Sequence, residues 1–438
     1  MGTIPVGSGL AAQLVVKDEA TYGVAPALTS GINSYEFKSE TLELKKTAVE
    51  GEGLAAGHVY RRTKRRVVTN YDVNGDIVME MPTRNFGWWA RYMIGDFSNA
   101  SPTQIASSGI YRTVFQPVTT QFGHSFTVQK GAPAVDATVE PFTEVGCKLS
   151  GWQLSVATGA IATLTFHVDG RNELAGTGNG DPLNGSVPAL ATWQPVTSGL
   201  GMSVFHFREA TVYTGGTPTF TAGGTITPPS IPASNTPQVN TTTKNVWVTV
   251  SGGTVTAVTV TGPGAPSPLS GDGSILLPPN CSITLTYSAA PTWTWAQAVV
   301  TLAGESPAGN IKDVNIGQTL TLDTNRIFVG TQGFKSEQIE SGYRSVTGSM
   351  TVEWLSAETY YNAYANDTTT SIQLTFVGPT VSGQTYLADF IIPNIKLEGE
   401  SVKVPGPAVL QQAVNFSGYD DETTVPIQLA YQSEDITF

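Results

Sequence analysis

Charge is sparse in this chain. Asp, Glu, Lys and Arg together make up 13% of 438 residues, low for a soluble globular protein, and a surface so thinly charged is often covered by neighbouring subunits. The formal net charge of −12 argues against a dedicated nucleic-acid binder, which would be basic. It still allows DNA to slide past an acidic wall, where repulsion prevents sticking. The two cysteines, Cys147 and Cys281, fall in stretches that read as different domains, so a disulfide framework is not expected. No apolar run reaches bilayer-spanning length, and membrane insertion is not expected. Met1-Gly-Thr-Ile-Pro lacks a basic start followed by an apolar core, so no secretory signal is expected and synthesis in a reducing cytoplasm is the simplest reading.

Catalytic signatures are equally scarce. There is no Gly-x-x-x-x-Gly-Lys phosphate loop, no Gly-x-Ser-x-Gly elbow and no His-Glu-x-x-His. The histidines, His58, His124, His167 and His206, are scattered. His167 and His206 each sit in an apolar strand and could face each other in a sheet, a structural pair with no cluster to complete a metal sphere. Asp72-Val-Asn74-Gly75-Asp76 only faintly resembles a calcium loop, because its Gly is fourth, not sixth, and no Glu is twelfth. It reads as a turn or bulge. No catalytic residue, metal ligand or cofactor is expected. A glycan hydrolase with a paired-carboxylate cleft ranks last among the readings, since nothing singles out a pair.

What is abundant is Gly (46) and Pro (27), with Thr, Ser and Val, a composition of short strands and tight turns. Residues 1–34 read as a polar, Gly-rich arm and not as a core element. Tyr35–Leu44 alternates as a strand, and Val67–Met81 reads as a long one with a kink at Asn74-Gly75. Thr83 is a candidate N-cap; Phe86, Trp89, Ala90 and Met93 form one helical face, and Gly95 is a stop. The pair Trp88-Trp89 reads as core packing in preference to a ligand platform. Further strands are expected near Tyr111–Phe115, Ser125–Gln129, Gly146–Ala157, Ala160–Val168 and Phe205–Tyr213. Residues 216–292 are nearly uncharged, and Asn245–Val250, Thr254–Val260 and Cys281–Tyr287 alternate between Gly and Pro turns. They predict a small inserted β-sandwich, with Trp247, Trp293 and Trp295 as core aromatics in preference to a carbohydrate platform.

Two stretches repeat one order of features. Phe37-Lys-Ser-Glu40, Val73–Glu80 and Thr83–Ala90 are echoed by Phe334-Lys-Ser-Glu337, Val346–Glu353 and Ser356–Ala363. An offset of 273 relates Val73, Gly75, Glu80 and Ala90 to Val346, Gly348, Glu353 and Ala363. An offset of 248 relates Lys148-Leu149, Gly151 and Gly170 to Lys396-Leu397, Gly399 and Gly418. The shared tetrapeptide places a longer loop in the first copy. A helix is expected over Ser356–Tyr364. The domains expected are an arm (1–34), a first copy (35–215), the insert (216–292) and a second copy (293–438).

The first-copy loop, about Thr47–Arg66, segregates its charge. Glu50 and Glu52 lie in front; His58 and Arg61-Arg62-Thr-Lys64-Arg65-Arg66 follow. An interface explains this better than a solvated charge run, because complementary patches give specificity. Nucleic-acid binding is disfavoured, since no aromatic beyond Tyr60 interleaves the run.

The strand near Phe37–Glu40, the long loop, the strand Val67–Met81, the helix Thr83–Ile94 and the later strands Gly146–Val156 and Phe166–Gly170 resemble the tail tube (major tail) proteins of phages with long non-contractile tails. The stretch from Pro237 to Trp295 resembles small β-domains that decorate virion proteins. The resemblance implies a mainly β fold: two tandem tail-tube β-sandwich or barrel domains, each with one flanking α-helix, plus a small inserted all-β domain. It implies a structural virion protein and not an enzyme, made in the host bacterial cytoplasm and located in the virion tail. Its partners would be itself, the tape-measure protein, and the tail terminator and distal tail proteins, with DNA passing through the lumen without specific binding. Duplication makes rings of three chains the expectation. Glu50, Glu52, His58, Arg61, Arg62, Lys64, Arg65 and Arg66 are then expected to contact the adjacent ring. The alternative is another surface, decoration or adhesin-like β-sandwich protein of the virion.

Overall fold

A computed structural model describes residues 8–54, 56–98, 102–105, 108–117, 121–134, 138–175, 187–194, 203–356, 360–399, 404, 406–407 and 409–437. The fold is mainly β, with antiparallel sheets and two helices among the described residues.

The strand Arg66–Glu80 alternates buried Val73, Ile77 and Met79 with polar Asp72, Asn74, Asp76 and Glu80, the period-two pattern of a half-buried strand. On one side it pairs with Ser39–Glu40 and Glu43–Glu50, and on the other with Thr163–Gly170, which pairs in turn with Val139–Ala157. A second four-stranded set repeats this order. Ser345–Glu353 lies between Ile311–Thr319 and Gln411–Gly418, and the last pairs with Gln384–Gly399.

The registers coincide over much of their length, up to a bulge at His167 that only the first set has. Val73 faces Gly170 and Gly75 faces Val168; Val346 faces Gly418 and Gly348 faces Phe416. Asp169 faces Lys148 as Ser417 faces Lys396. Glu40 faces Ile77 and Leu44 faces Val73, as Val314 faces Met350 and Gln318 faces Val346. Two glycines mark the same local demand. A Cβ on Gly75 would collide with the Thr41 carbonyl, and one on Gly348 with the Asn315 carbonyl.

This ladder corrects the reading from the tetrapeptide. The counterpart of Ser39-Glu40 is Asp313-Val314, not Ser336-Glu337. The following connections, 46–71 and 320–344, are then nearly equal in length, so the first is not specially extended. Four identical residues do not fix equivalence, whereas a hydrogen-bonded register does.

The two sets join edge to edge. Gly151–Ala157 pairs antiparallel with Asp313–Thr319, giving one continuous sheet eight strands wide. The first parts of Val139–Ala157 and Gln384–Gly399 bend away into outer layers. There, Val139–Ala157 meets Phe126–Pro133 and Asn172–Leu174. Gln384–Gly399 meets Thr370–Val381 and Gln428–Ser433. Tyr111–Phe115 and Ala210–Thr214 add to the second outer layer. Gln13–Asp18, expected in an arm, is a core strand paired with Phe126–Pro133, with Leu14, Val15 and Val16 fully buried.

The helix Gly87–Ile94 fills the space between the layers. Trp88 and Trp89 are both core residues, and Trp89 stacks on Phe166 at 4.1 Å between centroids. Phe86 occupies the N-cap position; Thr83 bonds Ser203 instead, and Gly95 ends the helix in the left-handed conformation. The second helix is short, Tyr361–Ala365; residues 357–359 of the expected segment lie outside those described.

Between the sets, a four-stranded and a three-stranded sheet enclose Val248, Val250, Val258, Leu285, Trp293 and Trp295. Thr292–Ala303 runs out of this small sandwich onto the main body. There, Val300 and Leu302 pack with Ile391, and Gln428 exchanges hydrogen bonds with Val300 in both directions at 2.9 Å. Lys244 reaches buried Asp96 at 2.9 Å.

Candidate assembly surface

Three surfaces bear on association. The first is the hairpin that carries the charge-segregated segment. Pairing of Glu43–Glu50 with Arg66–Glu80 extends to Glu50 opposite Arg66 and leaves a loop over 51–65, with a 3-10 turn at Thr63–Arg65. Glu50 and Arg61 form an ion pair within the hairpin, and the Arg62 guanidinium reaches the Gly53 carbonyl. Part of the charge segregation is therefore satisfied locally, by exposed contacts that contribute at most about 1 kcal/mol each. Glu52, His58, Lys64, Arg65 and Arg66 are exposed. So are Leu54, Val59 and Tyr60, at 100%, 90% and 87%, an unusual apolar content for a loop tip.

The second is the equivalent connection, 320–344, which lies folded onto the first set of strands. Phe334 is buried, stacked on Tyr71 at 4.6 Å with the Arg171 guanidinium 5.4 Å from its ring centre. Lys335 is 2% exposed and forms ion pairs with Asp169, at 2.6 Å, and with Asp72. Burial pushes the Asp169 carboxyl up despite Lys335 and Gln338 beside it. Lys148 meets Glu337 at 2.7 Å, and burial holds its ammonium below its ordinary range. The Gly333 carbonyl accepts a hydrogen bond from the Tyr71 amide at 2.9 Å. Sequence reasoning missed this docking. Phe334-Lys335 stood out as a repeat, and nothing local marks a lysine that will be buried.

The third is the sheet face away from the core. Across the eight strands it presents Asp72, Asp76, Glu80, Asp313, Glu353 and Glu398 among Ser, Thr, Asn and Gln, with Lys45, Lys396 and His167 as basic or titratable counterparts. His167 bonds Asp76 at 2.6 Å, and His206 lies near Glu209. The two histidines do not face each other, because His206 belongs to a 3-10 turn beside Ile161, off this face. Asp72–Asp76 lies within the long strand and is not a turn. The sheet's outer edge along Glu43–Glu50 has no strand partner among the described residues.

No helix among the described residues is long and apolar enough to cross a membrane. A family model described as phage tail tube protein matches residues 9–418. No curated protein matches the sequence.

Proposed function

The chain belongs to the phage tail tube protein family, a structural family whose members assemble into the tube of the virion tail, and from that premise we propose the following assembly. Three chains close a ring of a long, non-contractile tail, and rings stack into a tube. One observation carries this: two four-stranded sets with the same register, already joined edge to edge within a single chain. That pattern is a duplicated tube domain, and each chain supplies two of six equivalent places. Its unpaired edge at Glu43–Glu50 meets the Lys396–Gly399 end of the preceding chain's second set, as Asp313–Thr319 meets Gly151–Ala157. A head-to-tail contact of unlike edges closes into a ring, not a two-fold dimer.

The polar, mainly acidic sheet face lines the channel. A wall of this kind repels a polyanion weakly and has no basic trap for it, which suits passage of the tape-measure protein and then DNA. Terminator and distal tail proteins would cap the open ends of the stack, and the inserted sandwich, held on the outer layers, would face outward. The basic hairpin loop contacts other copies of the chain.

Cryo-electron microscopy of tubes assembled from purified protein tests the reading. Three chains per ring with the acidic face inward is the expected result. Six chains per ring with the second set outside the channel wall would refute the duplication argument, and basic residues dominating the lumen would refute the transport argument.

A further inference from the structure

We infer that the 51–65 loop docks sideways on the preceding chain of its own ring, with Tyr60 and Arg61 filling a groove on that chain's second set of strands. This rests on the ring proposed above and names the loop's partner: a second copy of this chain.

The geometry is already present once inside the chain. Connection 320–344 folds back onto the set whose edge its own strand joins, and buries Phe334 and Lys335 there. Counted from the register-equivalent residues Lys45 and Thr319, Tyr60 and Phe334 both lie fifteen positions on, each followed by a basic residue, Arg61 or Lys335. The slot around Phe334 consists of a ring from Tyr71 and a guanidinium from Arg171. The offsets fixed by the strands, 273 and 248, carry Tyr71 to Arg344 and Arg171 to Tyr419. The second set thus keeps one aromatic ring and one guanidinium at the same two positions, exchanged. A ring entering there would stack on Tyr419 and meet the cation of Arg344.

Beside Arg344 opens a cleft of about 580 Å³, lined by Val346, Gly418, Asp420 and Glu422 on one side and by Lys244, Pro263 and Pro278 of the inserted sandwich on the other. Tyr419 is 52% exposed, and Glu340 holds Arg344 in place at 2.6 Å. The acids that receive Lys335 become Ser417 and Ser345 in the second set, but a new acidic turn, Asp420-Asp421-Glu422, follows the strand directly and is exposed. It is complementary to the run beginning at Arg61. Apolar ring, cation and acid therefore match in position as well as in kind.

The test uses two single variants, Tyr60→Cys and Tyr419→Cys, since the native Cys147 and Cys281 are both buried. They are mixed in equal amounts, assembled into tubes, treated with a short thiol-to-thiol cross-linker and dissolved in denaturant. Cross-linked dimers from the mixture, at least tenfold above either variant alone, are expected. The double variant should give products that stop at the number of chains per ring, however long the tubes. Products climbing beyond ring size would place the loop on the next ring and overturn the inference, as would tubes that do not cross-link. Wild-type protein that forms neither rings nor tubes would remove the assembly reading as well. If the variants fail to fold, hydrogen exchange on wild-type protein decides instead. Amides of residues 51–65 and 419–424 should both gain protection of at least tenfold in isolated rings; unchanged exchange in either segment overturns the inference.

Discussion

Replacing Glu144 by Gln should remove a dependence of stability on pH that the wild-type protein has. Glu144 is fully buried, with Lys130 Nζ 3.3 Å away and Glu173 and Glu40 nearby. Burial pushes its carboxyl up to about 8, against the attraction of Lys130. The folded protein therefore holds a proton that the unfolded chain releases near its ordinary value of 4.5. Between those two pH values the native state binds more protons, so unfolding free energy falls as pH rises. Stability from the protonated form is fully present below about pH 4.5 and is lost progressively up to about pH 8. At about 1.4 kcal/mol per pH unit, the whole window amounts to roughly 5 kcal/mol. Urea denaturation followed by tryptophan fluorescence at pH 5, 6, 7 and 8 measures it. Other buried acids also titrate, so the quantity to read is wild type minus Glu144→Gln. That difference should decline by a few kcal/mol with rising pH. A flat difference, or one that increases, would show that Glu144 is ionised in the folded state and would refute the reasoning. Lys130 also bonds Glu40 at 3.2 Å and the Leu42 carbonyl, so the same cluster braces the strand at the open edge.

Lys335→Met should destabilise the subunit by about 3 kcal/mol or more, because it strands Asp169 and Asp72; adding Asp169→Asn should recover part of the loss in a thermal melt. Gly348→Ala should cost more than about 2 kcal/mol, since the new methyl would collide with the Asn315 carbonyl and the Phe416 ring; wild-type stability would show that the strands can part there. Joining Ala222 directly to Ala298, which face each other in the ladder, through a short Gly-Ser turn should leave a soluble subunit that still forms tubes. Cutting back to 216 and 303 should not, because Val300 and Leu302 go with it and expose Ile391 and Gln428. Equal behaviour of the two deletions in size-exclusion chromatography and negative stain would show that the strand's second half is dispensable.

Alternation and punctuation carried the legible part of the fold. Arg66–Glu80 alternates over much of its length, Tyr111–Phe115 is bounded by turn residues, and Gly95 supplies a left-handed stop. Gln13–Asp18 was illegible because Leu14, Val15 and Val16 are buried on both faces, which erases the period. The offsets 273 and 248 reflected real pairing, since register demands Gly75 and Gly348 against a neighbouring carbonyl. The tetrapeptide misled for the opposite reason: Lys38 is exposed while Lys335 is buried in an ion-pair cluster. The site was half legible. The loop's charge could be read directly. Its local Glu50–Arg61 pairing and the Tyr71–Phe334–Arg171 sandwich depend on contacts between residues distant in sequence.

The join between Gly151–Ala157 and Asp313–Thr319 is made within one polypeptide, so dilution cannot undo it. In the proposed ring of six places built from three chains, every second junction would be held by the covalent tether at an effective concentration on the order of millimolar. Only the junctions between chains would then respond to how much protein has been made. Closure would become a matter of three encounters, and a subunit waiting for a partner would expose one pair of open edges where two single-domain subunits would expose two pairs.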